Sequence, residues 1–136
     1  MTERARPRPP VAVAISFIDG INRGDVDGLA ELMTDDHQLC VFDEPPLVGK
    51  AANVEAWRGY ASSWPDYVIY PERISALAAG TVAILGHTTG SHLGLPDAVE
   101  AEQTLIWVAE VGGSKVSTWR LVEDTPANRS SYGLDR

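Results

Sequence analysis

A Gly112-Gly113-Ser114-Lys115 turn joins two long strand-forming runs near the C-terminus, and this hairpin constrains the fold more than any other feature. The first run, residues 99–111, contains Leu105-Ile106-Trp107-Val108-Ala109. It is apolar on both faces of a strand, so both faces must be covered. One cover is expected from helices and pocket contents, the other from a second subunit. The second run, residues 115–123, carries Trp119, and Gly86-His87-Thr88-Thr89-Gly90-Ser91-His92-Leu93-Gly94-Leu95-Pro96 precedes both. Two small amphipathic helices stand at the other end of the chain. This order predicts an α+β fold in which a curved antiparallel sheet wraps around N-terminal helices and encloses a pocket.

With 136 residues the chain suffices for one domain with a real core. Residues 1–10, with Pro7, Pro9 and Pro10, are expected to form a disordered head, 11–124 the domain and 125–136 a polar, loosely attached tail. Val11, Ala14, Ile15, Ile18 and Ile21 fall at helical spacing, predicting a helix over 11–22 that stops at Gly24. Asp25 can cap a second helix over 26–33. A strand over 37–43 puts Leu39, Val41 and Asp43 on one face, and a third helix is expected over 51–62. Further strands are predicted over 67–77 and 81–89, with Pro71 marking an edge or a bulge.

The net charge of −8 argues against a nucleic-acid partner, since phosphate binding needs a basic face. The only basic cluster, Arg4, Arg6 and Arg8, reads as a solvated tail. No apolar run is long enough to span a bilayer, and none resembles a cleaved signal, so a cytoplasmic location is expected. Cys40 has no partner for an intrachain disulfide and reads as a small buried residue. There is no phosphate loop, Ser/His/Asp triad or Cys-His zinc spacing, so neither metal nor cofactor is expected.

Several segments together resemble the SnoaL-like polyketide cyclases of the nuclear transport factor 2-like superfamily. They are Asn22-Arg23-Gly24-Asp25, Asp35-Asp36, Gly49, Trp64-Pro65-Asp66, the stretch from Gly86 to Pro96, and Lys115-Val116 with Trp119 and Asp124. The match covers residues 11–124. The resemblance implies a cone-shaped α+β barrel with a deep pocket, usually dimeric. It also exposes departures. Where the cyclases carry an Asp acid/base this chain has Leu121, and their assisting His falls near Leu105. The Tyr, base and second Asp of ketosteroid isomerases of the same fold fall at Phe17, Val41 and Ile106. The Arg and two Asp residues of limonene-epoxide-hydrolase-like members fall near Gly86, Thr88 and Leu121. All three usual mechanisms are therefore disfavoured.

If Leu121 faces the pocket, alternation places Ser117 and Trp119 beside it, and Gln103, Leu105 and Trp107 on the neighbouring strand. With Phe17 and Trp57 these are the expected substrate-binding residues, and the tryptophans read equally well as core fillers. Candidate proton carriers are Asp43, His87 and His92; each also reads as a solvent-facing turn or loop residue. His37 reads as a surface turn residue, and Glu100 and Glu102 as a solvated strand edge or polar pocket rim. The expected function is tailoring of an aromatic polyketide on a cyclase-like scaffold, including a hydroxylation step, with a small aromatic or polycyclic substrate. A homodimer and a partner reductase complete that expectation. The alternatives are a non-catalytic dimer that binds a hydrophobic ligand and an aldol-type cyclase with relocated acid/base groups.

Overall fold

In a computed structural model, residues 8–135 are described, so most of the expected head lies outside the described residues. Helix α1, Pro10–Arg23, starts with Pro10 in its first turn, where the missing N–H costs nothing. It stops at Gly24, whose φ of 63° returns N–H groups to the last carbonyls. Its buried side is formed by Val13, Ala14, Phe17, Ile18 and Ile21. Ile15, expected on that side, is 39% exposed, because the buried stripe runs through Val13 and Phe17 instead. Helix α2, Val26–Glu31, is capped by the Asp25 carboxylate, which accepts from the Gly28 N–H at 3.0 Å. A Cβ on Gly20 would lie 2.9 Å from Leu29, so glycine lets α1 and α2 close their corner.

Strand β1, Met33–Val41, begins four residues earlier than expected, and α2 is correspondingly shorter. Tertiary pairing decides this. The Val116 N–H donates to the Leu32 carbonyl at 2.6 Å, and Met33 pairs with Val116. After the short β2, Leu47–Val48, comes helix α3, Lys50–Ser63. Strands β3, Val68–Ala76, and β4, Thr81–Thr89, follow, with a register shift between Pro71 and Arg73. The expected strand over 99–111 is shorter. Asp97–Glu100 forms a helical turn, α4, and β5 spans Leu105–Gly112. Strand β6, Lys115–Glu123, closes the hairpin as expected.

The strands form one six-stranded sheet in the order β2-β1-β6-β5-β4-β3. All pairs are antiparallel except β1 with β6, which is parallel. The main core lies between one face of this curved, unclosed sheet and α1, around Phe17, Met33, Trp107 and Trp119. Burying side chains of this size stabilises the fold by roughly 1.5–3 kcal/mol each. The opposite face is covered in part by the chain's own C-terminus. Helix α5, Pro126–Ser131, is anchored by Arg129, which holds Asp124 through two hydrogen bonds of 2.6 and 2.8 Å. Leu134, 2% exposed, packs on Ala83, Leu85, Ile106 and Val108. The tail expected to be loose is therefore docked on the outer face, where a second subunit was expected to lie. No helix among the described residues is long and apolar enough to cross a membrane.

Candidate functional site: an aromatic cavity

Register alone assembles most of one wall. Leu39 pairs with Trp119 and Val41 with Leu121 across β1 and β6, and Leu121 pairs with Trp107 across β6 and β5. Side chains on paired residues share a face, so these five form a continuous apolar surface. Opposite stand Ala56, Trp57 and Tyr60 of α3, with Tyr67 and His92 completing the lining. The half-open cavity measures about 210 Å3. Phe17 lies beneath it, fully buried, its ring centroid 4.7 Å from that of Trp119.

The polar groups of this cavity are few, and two of them, Tyr60 and His92, are linked. Tyr60 packs edge-on against Trp57 at 6.1 Å and Tyr67 at 5.0 Å. Its hydroxyl lies 2.9 Å from His92 Nδ1 and accepts from the His92 backbone N–H at 3.2 Å. One arrangement uses every partner: the phenol O–H donates to Nδ1, and the ring proton sits on Nε2. Burial pushes the Tyr60 phenol above its usual range, and Tyr67 further up still. Both phenols are therefore neutral donors near neutral pH. None of the lining residues carries a carboxylate.

The structure brings together Trp57, Trp107, Trp119, Leu121 and His92 among the residues singled out from sequence. It does not bring in the others. Asp43 falls in the exposed turn after β1, because that strand ends at Val41. His87 projects from the opposite face of β4, in register with Ala83 and Leu85, where its Nδ1 meets Glu72 Oε2 at 2.8 Å and its ring stacks on Tyr70. Gln103 is exposed in the bend before β5, since the strand starts two residues later. Leu105 packs against the core, and the Ser117 hydroxyl is taken up by the Glu110 carbonyl at 3.3 Å; neither lines the cavity. Phe17 supports Trp119 from below rather than facing the space.

Sequence reasoning missed Tyr60 and Tyr67. Tyr60 lies three residues after Trp57, on the same helix face, so the signal was present. It also misplaced two ionisable residues. His37, expected in a surface turn, is fully buried, its Nδ1–H donating to the Val116 carbonyl at 2.7 Å. Desolvation lowers its pKa, although the hydrogen bond and Asp36 oppose this. Glu100 is 2% exposed rather than a solvated edge.

A wider cleft of about 460 Å3 lies outside the cavity, between the α1–α2 corner and α3, and shares Trp57, Tyr60 and Tyr67 with it. Its polar groups engage one another: Arg23 with Asp19 at 3.3 Å, Arg58 with Glu55 and Asp27 at 3.7 and 3.9 Å, Asp25 with Gly28. Among the described residues no three His, Cys, Asp or Glu side chains cluster to hold a metal ion.

This architecture recurs in solved proteins. An uncharacterized cystatin-fold protein from Novosphingobium aromaticivorans superposes with a TM-score of 0.72 at 20% identity, over 85% of this chain and 99% of its own. A putative polyketide cyclase from Sinorhizobium meliloti gives 0.65 at 18% identity, over 81% and 93%. The epoxide hydrolase/cyclase-like enzyme SalBIII, of pyran ring formation in salinomycin, gives 0.68 at 18%, over 85% and 91%. At these identities the likeness is one of fold. No protein with a curated description matches the chain. The sequence profile of the SnoaL-like domain matches residues 14–123, a span that contains every residue of the cavity wall, and the protein belongs to that family.

Proposed function

We propose that this protein is an enzyme that tailors an aromatic polyketide, holding a flat aromatic or polycyclic substrate between α3 and strands β1, β5 and β6. The observation that carries this reading is the wall itself: five aromatic side chains, Trp57, Tyr60, Tyr67, Trp107 and Trp119, around one small cavity. Such a lining binds rings by burial and stacking, and a few polar groups fix their orientation.

His92 and Tyr60 are the groups placed to move a proton, because the imidazole Nδ1 and the phenol hydroxyl lie 2.9 Å apart on the cavity wall. In a cyclase-like step with relocated acid/base groups, the Tyr60 oxygen takes a proton from carbon beside a carbonyl while its own proton passes to His92 Nδ1, and the Tyr67 hydroxyl donates to the enolate oxygen. In a hydroxylation, dioxygen is the oxidant and a partner reductase supplies two electrons. One oxygen atom then enters the ring and the other leaves as water. An electron-rich phenolic substrate supplies much of the reactivity in either case.

The test is incubation with anthracycline-type aromatic intermediates, with and without a reductase, followed by mass analysis. Conversion that His92→Gln abolishes supports the reading; no product under any condition counts against it. A second reading, a non-catalytic binder of a hydrophobic ligand, is favoured by the carboxylate-free lining. It predicts tight binding of the same compounds without turnover.

A further inference from the structure

Among the described residues Glu100 is the one carboxylate-bearing residue of the buried polar groups, and the proton transfer proposed above does not use it. It sits at the end of α4, where the chain turns back towards β5. Among the described residues no Lys, Arg or His pairs with it. Leaving a carboxylate buried without a cation costs several kcal/mol unless hydrogen bonds offset it. Its partners are the Thr88 hydroxyl, which donates to Oε2, and the Ser91 N–H, 3.4 Å from Oε1. One side chain thus spans the start of the β4–β5 connection and its far end.

Ser91 is the residue before His92. Gly90, on its other side, has a φ of 70°, and a Cβ there would lie 2.4 Å from the Asp66 carbonyl. The segment is therefore wedged at Gly90 against the chain entering β3 and pinned at Ser91 by Glu100. It is docked at His92 onto Tyr60. We propose that Glu100 is a positioning residue: by tying Ser91 and Thr88 together it presents the His92 imidazole to the Tyr60 hydroxyl at the cavity mouth. This rests on the reading of His92 and Tyr60 as the working pair. The Glu100 charge also acts on Tyr60 and Tyr67, opposing ionisation of both phenols. With the Tyr60 O–H turned to His92, the neutral Tyr67 hydroxyl remains a donor at the cavity wall, so the ligand it suits offers an acceptor oxygen, a ketone or quinone carbonyl.

Nuclear Overhauser contacts between the His92 and Tyr60 rings in the labelled full chain read this positioning without any ligand. Glu100→Ala loses the contact while core contacts of Trp119 persist. Glu100→Gln keeps it, because the amide still bonds Ser91 N–H and Thr88 Oγ. A second arm measures alizarin, a hydroxylated anthraquinone, by tryptophan quenching. Glu100→Ala and His92→Ala each weaken it about fivefold, and the double variant is no weaker than either, the non-additivity of a shared role. Should Glu100→Ala fail to fold, Thr88→Val, which removes one of the two bonds, is expected to weaken the ring contact partially. An undiminished ring contact in Glu100→Ala or Thr88→Val, or additive losses in the double variant, overturns the proposal. Failure of wild type to bind alizarin instead counts against the aromatic-substrate reading, and the ring contact still decides the role of Glu100.

Discussion

The Tyr60 hydroxyl and His92 meet through two hydrogen-bonding contacts, 2.9 Å to the ring and 3.2 Å from the backbone N–H. Tyr60 stands on α3 and His92 on the β4–β5 connection, so one phenol links two otherwise separate walls of the cavity. Removing the hydroxyl alone leaves the ring packing with Trp57 and Tyr67 in place. Tyr60→Phe is expected to leave affinity for a flat aromatic ligand within a few-fold. Turnover should fall by about 10²-fold, a usual share for a positioned proton carrier. Steady-state kinetics beside a fluorescence titration separates the two.

The Phe17 ring supports Trp119 from beneath, and this links core packing to the shape of the site. Phe17→Leu keeps an apolar side chain but loses ring contact. A destabilisation of about 1–2 kcal/mol is expected in urea denaturation, from lost packing and the lost aromatic pair. The Trp119 indole resonance should broaden or shift in the same variant.

His37 makes stability depend on pH in a defined direction. Burial lowers its folded pKa below the ordinary 6.5, so between the two values the unfolded chain binds a proton that the folded protein refuses. Stability is full above about 6.5 and falls as pH drops from there towards the lower folded value. His37→Asn retains a donor for the Val116 carbonyl and cannot titrate. Its denaturation midpoint should start lower at pH 7.5 yet vary less than wild type down to pH 5. Asp124, held below its ordinary 3.8 chiefly by the hydrogen bonds from Arg129, loses its contribution only at more acidic pH.

The docked C-terminus gives a further expectation. Ending the chain after Thr125 removes α5 and Leu134 and uncovers Ala83, Leu85, Ile106 and Val108. The loss of Leu134 burial alone should cost about 2 kcal/mol. Sedimentation should show concentration-dependent self-association from the uncovered apolar patch.

Sequence pattern reached far into this fold where local signals and tertiary context agree. The Gly112-Gly113 turn and the runs beside it set β6 at 115–123; the family resemblance put Leu121 on the cavity side, and alternation added Trp119. It failed where pairing or side-chain hydrogen bonds decide. His37 and Asp36 look like a polar turn, yet pairing with β6 draws the strand back to Met33 and buries the imidazole. Glu100 and Glu102 look like one solvated edge, but Thr88 and Ser91, twelve and nine residues earlier, take up the first carboxylate and leave Glu102 exposed. His87 was one residue from the inward face of β4. A period of two places Thr88 inward and His87 outward, and only the register with β5 fixes which of them is which.

The four tryptophans allow the most direct test of the central claim. Trp107 and Trp119 line only the inner cavity, Trp64 only the outer cleft, and Trp57 both. In a ¹H–¹⁵N correlation spectrum each indole N–H gives its own signal, and a planar hydroxyquinone can be titrated against all of them at once. A ligand stacked in the aromatic cavity shifts the Trp107 and Trp119 signals and leaves Trp64 in place. Movement of Trp64 while Trp107 and Trp119 stay fixed, or no movement at saturating ligand, would contradict it.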